Sequence, residues 1–345
     1  MLDSANKSRV IFNRGAASSY RSYETVSTLL LDRKAVNSLI NMPDVLNAVE
    51  EAFTMWGEGK GNMPAKAYLL VDHGDFRAMP AALPGCAGMK WVNAHPHNQS
   101  HNLPSVMAIM ILNDPETGYP LAIMDATEIT AYRTGAAAAI ASKFLARKDS
   151  RTLGIVGAGR QAYTQILAHA ELFNLNSISV FDISETAVNS LISSLPEFMI
   201  RSVSIQEAVH SDIVCTLTPS RVPIVKKEWI IRGTHINAIG ADAAGKEELD
   251  PLILKDATVV VDDIRQASGG GEINVPIKEG LYCADDVYGT LAELVLGKKT
   301  GRTDDKAITV FDSTGVAIED VAVAKLLFEK AQQSRGYPSI DLIGI

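Results

Sequence analysis

The spacing of hydrophobic residues changes several times along the chain, and each change marks a predicted element. From residue 31 to 56 apolar side chains recur every three to four positions, as at Val45, Val49 and Ala52, which is typical of a helix. Shorter apolar runs follow, and the last two flank the turn-forming segment Asn113–Gly118, which predicts an antiparallel hairpin. The first part of the chain is therefore expected to be α+β with a mostly antiparallel sheet, its strands at residues 66–71, 76–80, 88–94, 106–112 and 119–124.

The second part of the chain alternates between strand and helix patterns. It begins with a long predicted helix, residues 127–146, in which Gly135 lets another backbone or a ligand approach closely. The alternation that follows is typical of an α/β fold with a Rossmann-type, doubly wound parallel sheet. Strands are predicted at residues 152–156, 177–181, 212–216, 235–239, 258–261 and 308–311, and a final helix at 317–333.

The strongest local motif is G-x-G-x-x-A, formed by Gly157, Gly159 and Ala162 between a predicted strand and a predicted helix. The first glycine permits a tight turn, the second lets a pyrophosphate approach the backbone, and the alanine lets helix and strand pack closely. Asp182 ends the next strand, where a carboxylate accepts hydrogen bonds from ribose hydroxyls and repels a 2′-phosphate. These residues predict NAD rather than NADP, with a helix-capping role as the alternative for Asp182.

Composition narrows the class of protein further. Lysine and arginine total 32 against 40 aspartate and glutamate, a net charge of −8, which argues against general binding of nucleic acid or an anionic membrane. The longest apolar run, Val106–Leu112, is too short to cross a bilayer. Three widely spaced cysteines argue against a disulfide scaffold, so a reducing, cytoplasmic location is expected. A small molecule is the expected partner.

Four cations are candidates for binding or proton transfer: Lys66, Arg77, Lys90 and Arg133. Lys90 lies in an apolar strand, where desolvation is expected to lower its pKa and suit it to proton transfer. Arg133 has a planar fork that can hold a carboxylate. For each of the four, a solvated or purely structural charge is the alternative.

Other polar groups follow predicted strands, where parallel sheets place their ligands. Asp242 is the main candidate, with loop capping as the alternative, and Thr218 and Ser313 are similarly placed. The glycine-rich segment 268–272 is expected to be a flexible loop that covers the site. No metal site is predicted, because the histidines near residue 97 lie in a loop pattern without acidic or cysteine ligands.

Seven motifs, in the same order, resemble those of the ornithine cyclodeaminase/μ-crystallin family, and within it the archaeal-type alanine dehydrogenases. The resemblance runs from about residue 30 to near the C-terminus. Its motifs are Lys90-Trp-Val-Asn-Ala-His-Pro, Asn102-Leu-Pro-Ser-Val-Met-Ala, Gly118-Tyr-Pro-Leu-Ala, Arg133-Thr-Gly-Ala-Ala, Gly157-Ala-Gly-Arg-Gln-Ala, His235-Ile-Asn-Ala-Ile-Gly-Ala-Asp242 and Phe311-Asp-Ser-Thr-Gly.

The resemblance implies a homodimer that binds NAD, and it implies a role for each matching residue. Lys90 matches the lysine proposed for acid–base work, Asp242 the catalytic aspartate, and Arg133 the arginine near the substrate carboxylate and the nicotinamide. Lys66, Arg77 and Thr314 fall near the substrate. Cofactor contacts are implied for Ser105, Arg133, Gly157, Gly159, Arg160, Gln161, Asp182, Thr218, Ala238, Ile239, Gly240, Lys246 and Ser313.

Two positions depart from the cyclodeaminase pattern and change the implied substrate. Lys66 stands where characterised cyclodeaminases have arginine, and Arg77 where they have a glutamate near the substrate's amino groups. A cation there repels the side-chain ammonium of ornithine, so the resemblance implies reversible NAD-dependent oxidative deamination of L-alanine to pyruvate and ammonia. Ornithine cyclodeaminase and cyclic ketimine reductase activities are the alternatives. A non-enzymatic, crystallin-like nucleotide-binding protein is a further one, which Asp182 and Asp242 disfavour.

Pattern and resemblance together predict three regions. Residues 1–28 are expected to be a disordered N-terminal extension, with a transit peptide as the alternative. Residues 29–140 with 314–345 are expected to form a substrate-binding and dimerisation domain, because the final helix is predicted to pack back on it. Residues 141–313 are expected to form the NAD-binding Rossmann domain.

Overall fold

A computed structural model describes residues 9–12, 19–22 and 27–344. The chain forms two compact units, the first containing residues up to 44, 58–130 and from 317, the second containing 45–57 and 131–316. No helix of the described residues has the length and apolar character needed to cross a membrane. Most of the predicted extension, residues 1–8, 13–18 and 23–26, lies outside the described residues.

The bounds of the elements agree with most of the predicted ones to within two residues. The described strands are β1 Arg9–Phe12, β2 Ser19–Ser22, β3 Thr28–Leu31, β4 Ala67–Val71, β5 Gly74–Leu83, β6 Cys86–Ala94, β7 Val106–Asn113, β8 Pro120–Asp125, β9 Thr152–Val156, β10 Ser177–Phe181, β11 Ile200–Ser202, β12 Ile213–Thr216, β13 Arg221–Val225, β14 His235–Ala238, β15 Glu247–Leu249, β16 Ala257–Val261, β17 Gly289–Thr290, β18 Ile308–Asp312 and β19 Ser339–Ile340. The described helices are α1 Arg33–Leu39, α2 Met42–Gly57, α3 Thr127–Leu145, α4 Arg160–Leu172, α5 Glu185–Ser194, α6 Ile205–Val209, α7 Pro251–Asp256, α8 Ile264–Gly270, α9 Asn274–Lys278, α10 Leu291–Val295 and α11 Ala317–Ser334.

The first unit is built on a seven-stranded sheet in the order β19-β3-β8-β7-β6-β5-β4. All its neighbours are antiparallel except β3 and β8, which confirms the predicted mostly antiparallel sheet. Helix α11 packs against β5, β6 and β7. Alternate residues of β5, Met79, Ala81 and Leu83, are buried, as expected for a sheet with one covered face.

The second unit is built on an eight-stranded parallel sheet in the order β11-β10-β9-β12-β14-β18-β16-β17. Successive strand residues enter different hydrophobic cores, because side chains alternate between the two faces of a sheet. Ile155 packs in one core with Ile166 of α4, whereas Val156 and Val214 pack in the other with Ile253 of α7. Two cores on two faces establish the predicted doubly wound Rossmann-type sheet, which places strand ends at one edge.

The predicted helix at residues 31–56 is wrong in detail. It is interrupted, because Asp32 caps α1 by accepting the Ala35 N–H at 2.8 Å and α2 starts separately at Met42. Thr28, placed in the extension by the sequence pattern, begins β3 and is fully buried.

The two units also divide the chain differently from the predicted regions. Residues 45–57 belong to the second unit, where Glu50 forms an ion pair with Lys143 at 2.7 Å and the Gly57 carbonyl accepts from Lys298 at 2.8 Å. The second unit includes α3 from residue 131, because a Cβ on Gly135 would lie 2.5 Å from the Thr164 carbonyl oxygen. The close approach predicted at Gly135 is therefore to the backbone of α4.

Candidate active site

The turn between β9 and α4 has the geometry of a phosphate-binding loop. Gly157 has a φ of +107°, and a Cβ there would lie 3.1 Å from Thr218 Cγ2, so glycine is required. Gly159 caps α4, and no described atom lies within 4 Å of a Cβ built on it. Ala162 is fully buried in the core shared with Ile155. The loop is thus tight at its first glycine, open at its second and closely packed at its alanine.

A cavity of about 570 Å³ adjoins this loop at the carboxyl edge of the sheet. Asp182 lines it, and its two oxygens accept the N–H groups of Ala158 at 2.7 Å and Ser184 at 2.8 Å. The predicted alternative of helix capping is wrong, because Ser184 is the N-cap of α5. A carboxylate has about four lone-pair sites, so Asp182 retains acceptor capacity for a ligand. The cavity is lined by Gly157, Gly159, Phe181, Asp182, Ile183, Ile205, Leu217, Thr218, Pro219, Ser220 and Ile224.

Buried polar atoms near the strand ends lack partners among the residues that the structure describes. They include Gln161 Oε1, in the first turn of α4, and Ser313 Oγ, directly after β18. Arg160 is exposed at the first position of α4. An open Gly159, a helix N-terminus and unsatisfied acceptors or donors fit a dinucleotide, whose phosphates and hydroxyls supply the missing hydrogen bonds.

Glu248 joins the loops that follow β12 and β14. Its Oε1 accepts both the N–H and the hydroxyl of Thr218 at 2.7 Å, and its Oε2 accepts the Gly240 N–H at 2.9 Å. The side chain is fully buried, and burial raises the pKa of Glu248 while the hydrogen bonds from Thr218 and Gly240 lower it. Of the predicted cofactor positions, Ala238 ends β14 here and Ile239 and Gly240 directly follow it, and the Ser313 N–H donates to the Ala238 carbonyl at 3.0 Å.

Glu272 holds the backbone at Glu248 through hydrogen bonds. Its Oε1 accepts the N–H groups of Glu248 at 2.9 Å and Leu249 at 2.6 Å, and it is fully buried. Burial and then the charge of Glu248 raise the pKa of Glu272 well above its ordinary value, while the hydrogen bonds from the Leu249 and Glu248 N–H groups lower it. The expected flexible covering loop at residues 268–272 is therefore wrong: its first part ends α8, and its last residue anchors β15.

Asp242 lies in the loop after β14 and forms an ion pair with Lys246, four residues further on. Lys246 also lies 3.4 Å from the Gly240 carbonyl. Asn274 pins the loop, since it accepts the Gly245 N–H and donates to the Lys246 carbonyl, both at 2.9 Å. About a third of the Asp242 side chain is accessible, so a small substrate or water can reach it.

Arg133, on α3, lies against the loop that follows β18. A Cβ on Gly315 would overlap its Nη1 atom and lie 2.8 Å from Nη2. Asp262 holds this loop, accepting the N–H groups of Thr314 at 2.6 Å and Gly315 at 2.7 Å and, at 3.1 Å, the Thr314 hydroxyl. The second unit therefore brings together Arg133 and Thr314, two of the predicted substrate residues.

The first unit brings together the other predicted cations on the α11 side of its sheet. Lys90 on β6 stands opposite Met79 on β5, two residues from Arg77, so the two cations are diagonal neighbours about 7–8 Å apart. Lys66 precedes β4, whose register carries it to the same face. Ser105 precedes β7, and its carbonyl accepts the His95 N–H at 2.7 Å.

Carboxylates accompany two of these cations. Lys90 Nζ lies 2.8 Å from the Asp320 carboxylate, and both side chains are inaccessible to solvent. Arg77 Nε lies 2.8 Å from Asp75 Oδ1, and its guanidinium is 5.5 Å from the centre of the Tyr68 ring. Lys90 is therefore a buried cation that is paired with a carboxylate. No group of three or more histidine, cysteine or carboxylate side chains in the described part of the chain suits a metal ion.

Sequence reasoning missed the supporting carboxylates Asp75, Glu248, Asp262, Glu272 and Asp320. Asp262 had a usable signal, since it directly follows a predicted strand in the same way as Asp182 and Asp242. Asp320 had none, because its partner Lys90 is 230 positions away.

The parallel sheet, the glycine loop and the acid at the end of β10 define a Rossmann-type dinucleotide-binding protein with an additional α+β unit. The ornithine cyclodeaminase/mu-crystallin family matches residues 26–335, and the chain belongs to this family. The chain is 52% identical over 309 residues to the alanine dehydrogenase of Archaeoglobus fulgidus, covering 89% of this chain and 96% of that one.

Two solved structures are similar along most of the chain. One is an archaeal alanine dehydrogenase dimer with bound NAD, 50% identical, with a TM-score of 0.90 over 92% of this chain and 100% of that one. The other is the Delta(1)-pyrroline-2-carboxylate reductase of Thermococcus litoralis in complex with NADH and L-proline. It is 39% identical, with a TM-score of 0.87 over 91% of this chain and 100% of that one.

Proposed function

We propose that this chain is an NAD-dependent L-alanine dehydrogenase, which converts L-alanine, NAD⁺ and water reversibly into pyruvate, ammonia, NADH and a proton. The observation that carries the proposal is the similarity to the A. fulgidus enzyme over nearly the whole of both chains. Arg77 agrees with it, because a guanidinium beside Lys90 favours a substrate carboxylate and disfavours a second substrate ammonium.

NAD fits the residues of the second unit. The open backbone at Gly159 and the N-terminus of α4, with Arg160 and Gln161, would hold the pyrophosphate, and Asp182 the adenosine ribose. Thr218, Ala238, Ile239, Gly240, Lys246 and Ser313 border the same sheet edge and complete the proposed set within the second unit. Ser105 is a further proposed cofactor contact. When bound, NAD supplies the acceptor for the hydride on the alanine Cα.

The proposed substrate residues carry charge suited to a short 2-amino acid. Lys66, Arg77 and Arg133 would hold the carboxylate of alanine, or that of pyruvate in the reverse direction, and Thr314 would border it. Because Asp75 and Asp320 already balance Arg77 and Lys90, a single carboxylate suits this set better than a dicarboxylate does.

Asp242 and Lys90 are the proposed acid–base pair. After oxidation leaves an imine carbon, Asp242 would accept one proton of the attacking water as the C–O bond forms and the electron pair of the C=N bond moves to nitrogen. Lys90 would then deliver a proton to the amino nitrogen, the C–N bond would break to release ammonia, and the hydroxyl proton would pass back to Lys90 as the C=O bond of pyruvate forms. Lys246 holds the Asp242 carboxylate in position through their ion pair.

A homodimer is part of the proposal. The sheet face of the first unit opposite α11 is apolar and open, with Leu69 and Ile109 each about half exposed and Phe76 stacked on Trp91 at 5.4 Å. An open apolar sheet face of this kind is typical of a protein–protein contact. A second copy of this chain is the proposed partner, as in the similar archaeal dimer. Ile109→Asp is expected to give monomers in light scattering, whereas the equally exposed Ile343→Asp should not.

A cytoplasmic location is also proposed. The three cysteines, Cys86, Cys215 and Cys283, are all within the described residues and all free thiols. Free thiols suit a reducing compartment. Cell fractionation with an antibody against the chain would test this location.

The function is tested by a substrate panel with product identification. Pyruvate and NADH formed from L-alanine and NAD⁺, and the reverse with ammonia, would support it. Proline formed from ornithine without net NADH would identify an ornithine cyclodeaminase instead. Reduction of pyrroline or piperideine carboxylates would identify a cyclic ketimine reductase. Nucleotide binding without turnover of any amino or keto acid would identify a binding protein.

A further inference from the structure

Glu248 connects two loops that belong to different strands of the parallel sheet. One of them carries Thr218, which lines the cavity beside Gly157, and the other follows β14 and contains Gly240. The two loops touch, because a Cβ on Gly240 would overlap the Thr218 carbonyl oxygen and lie 2.5 Å from Glu248 Oε2. Three hydrogen bonds to one buried carboxylate therefore set the spacing of the two loops.

The backbone that carries the Glu248 side chain is itself held by hydrogen bonds. Glu272 binds the backbone N–H groups on either side of the Glu248 side chain, at Glu248 and Leu249. The following residue, Ile273, donates its N–H to Asp312 at 3.1 Å, at the end of β18. The carboxylate of Glu248 thus has a rigid support and cannot follow the loops if they drift apart.

We propose that Glu248 is a positioning residue for NAD binding, holding Thr218 and Gly240 at the separation that the dinucleotide requires. The proposal rests on the proposed function only in taking NAD as the ligand. Glu248 contacts neither substrate nor cofactor in this role, since it is fully buried beneath the two loops that it holds.

Asp212 offers a matched control in the same sheet. It also accepts two backbone N–H groups, from Arg151 at 2.8 Å and Thr152 at 3.0 Å, and the hydroxyl of Thr152 at 2.9 Å. Asp212 precedes β12 and Thr152 begins β9, so this cluster lies at the amino edge, away from the cavity. Each carboxylate accepts two backbone N–H groups and one threonine hydroxyl, at opposite ends of parallel strands, and Asp212 is in addition ion-paired with Arg147.

The experiment compares Glu248→Gln with Asp212→Asn in the full-length protein. NADH affinity is measured by fluorescence titration, and stability by thermal unfolding. Both variants are expected to lower Tm, whereas only Glu248→Gln should raise the Kd for NADH, by about tenfold, because the amide nitrogen cannot accept a hydrogen bond and one of the two loops loses its acceptor. In turnover, Glu248→Gln should raise the KM for NAD⁺ more than it lowers kcat. An unchanged Kd in Glu248→Gln, or an equal rise in Asp212→Asn, would overturn the proposal.

A second variant pair covers the case in which Glu248→Gln does not fold. In Gly240→Ala the new Cβ would push Gly240 away from Thr218 and Glu248. In Gly269→Ala, on α8, the new Cβ has no described atom within 4 Å. The Kd for NADH should rise in the first variant and stay unchanged in the second, and wild-type affinity in Gly240→Ala would contradict the proposal. Because these titrations need no substrate, they remain decisive if the wild-type protein fails to oxidise alanine. Conversely, if the wild-type protein oxidises alanine but the variants bind NADH as tightly as wild type, only the role of Glu248 is refuted and the proposed function stands.

Discussion

The ammonium of Lys90 and the carboxylate of Asp320 lie 2.8 Å apart, and neither side chain is accessible to solvent. One residue is on β6 and the other on α11, so the ion pair joins the sheet of the first unit to its covering helix. A buried cation without this partner would be strongly unfavourable. The position proposed for acid–base work is therefore also a point on which the first unit depends for stability.

Breaking this ion pair should destabilise the protein more than removing it altogether. Asp320→Leu removes the carboxylate that faces the buried Lys90 ammonium, and is expected to lower the free energy of unfolding by about 3–5 kcal/mol. The double variant Lys90→Met/Asp320→Leu should recover most of that loss yet show no turnover. Urea unfolding checks the first expectation and steady-state assays the second. Additive losses in the double variant would argue against a coupled pair.

Gly315 should be needed for the position of Arg133. Its φ is +74° and its missing Cβ makes room for the Arg133 guanidinium. Gly315→Ala is expected to raise the KM for alanine at least about tenfold through displacement of that group. Gly297→Ala is the control, since Gly297 has a φ of +68° with no described atom within 4 Å of a Cβ built on it. Both variants should lose about 1–2 kcal/mol of stability, and equal KM values would remove Arg133 from the substrate site.

Asp182 should set the choice between NAD and NADP. Its carboxylate lines the cavity, whereas Glu185 is exposed three residues further along. Asp182→Arg is expected to lower the ratio of kcat/KM for NAD⁺ over NADP⁺ by about a hundredfold or more, because a repulsive charge becomes an attractive one. Glu185→Arg makes the same change of charge and should leave the ratio nearly unchanged. If both variants behave alike, the effect is one of overall charge rather than of Asp182.

Two buried histidines of the second unit predict a loss of stability in mild acid. Burial lowers the pKa of His169 from 6.5 to about 4 and that of His235 from 6.5 to about 3, so both are neutral in the folded protein. The unfolded chain binds their protons below about pH 6.5, so their contribution to stability is complete above that pH and is lost as pH falls toward the folded values. Between pH 7 and pH 5 each should cost about 2 kcal/mol of unfolding free energy.

The matched variants for this prediction are His169→Gln and His210→Gln. His169→Gln should be less stable at pH 7, because it disrupts the hydrogen bonds to Gln165 and Ser142, but it should lose about 2 kcal/mol less than wild type on going to pH 5. His210→Gln is the control, because it replaces an exposed histidine by the same residue. Urea unfolding at the two pH values measures both. Parallel curves for wild type and His169→Gln would contradict the assignment.

The spacing of apolar residues was sufficient to predict most strands and helices, because strand alternation and helical periodicity are properties of short segments. Several of the strands that were not predicted are very short: β11 and β15 have three residues, and β17 and β19 only two. The longer β3 and β13, of four and five residues, were also not predicted. The break between α1 and α2 was missed because the apolar spacing continues through it, although Asp32 is a standard capping residue.

Residues of the candidate site could be predicted only where they directly follow the end of a strand. Asp182 and Asp242 were found in this way, and so was the glycine loop. The supporting carboxylates depend on contacts between distant segments: Asp262 meets Thr314 across 52 positions, and Glu248 meets Thr218 across 30. Charge and spacing alone do not reveal which cation a buried carboxylate will meet, as Lys90 and Asp320 illustrate.

The central claim, oxidation of alanine at Cα with NAD⁺ as acceptor, is tested most directly with L-alanine deuterated at Cα. The account predicts that deuterium appears in the NADH in equal amount to the pyruvate formed, and that Asp242→Asn reduces this product at least about a hundredfold while NADH still binds. NADH without deuterium, or deuterium retained in an amino-acid product with no net NADH, would contradict it.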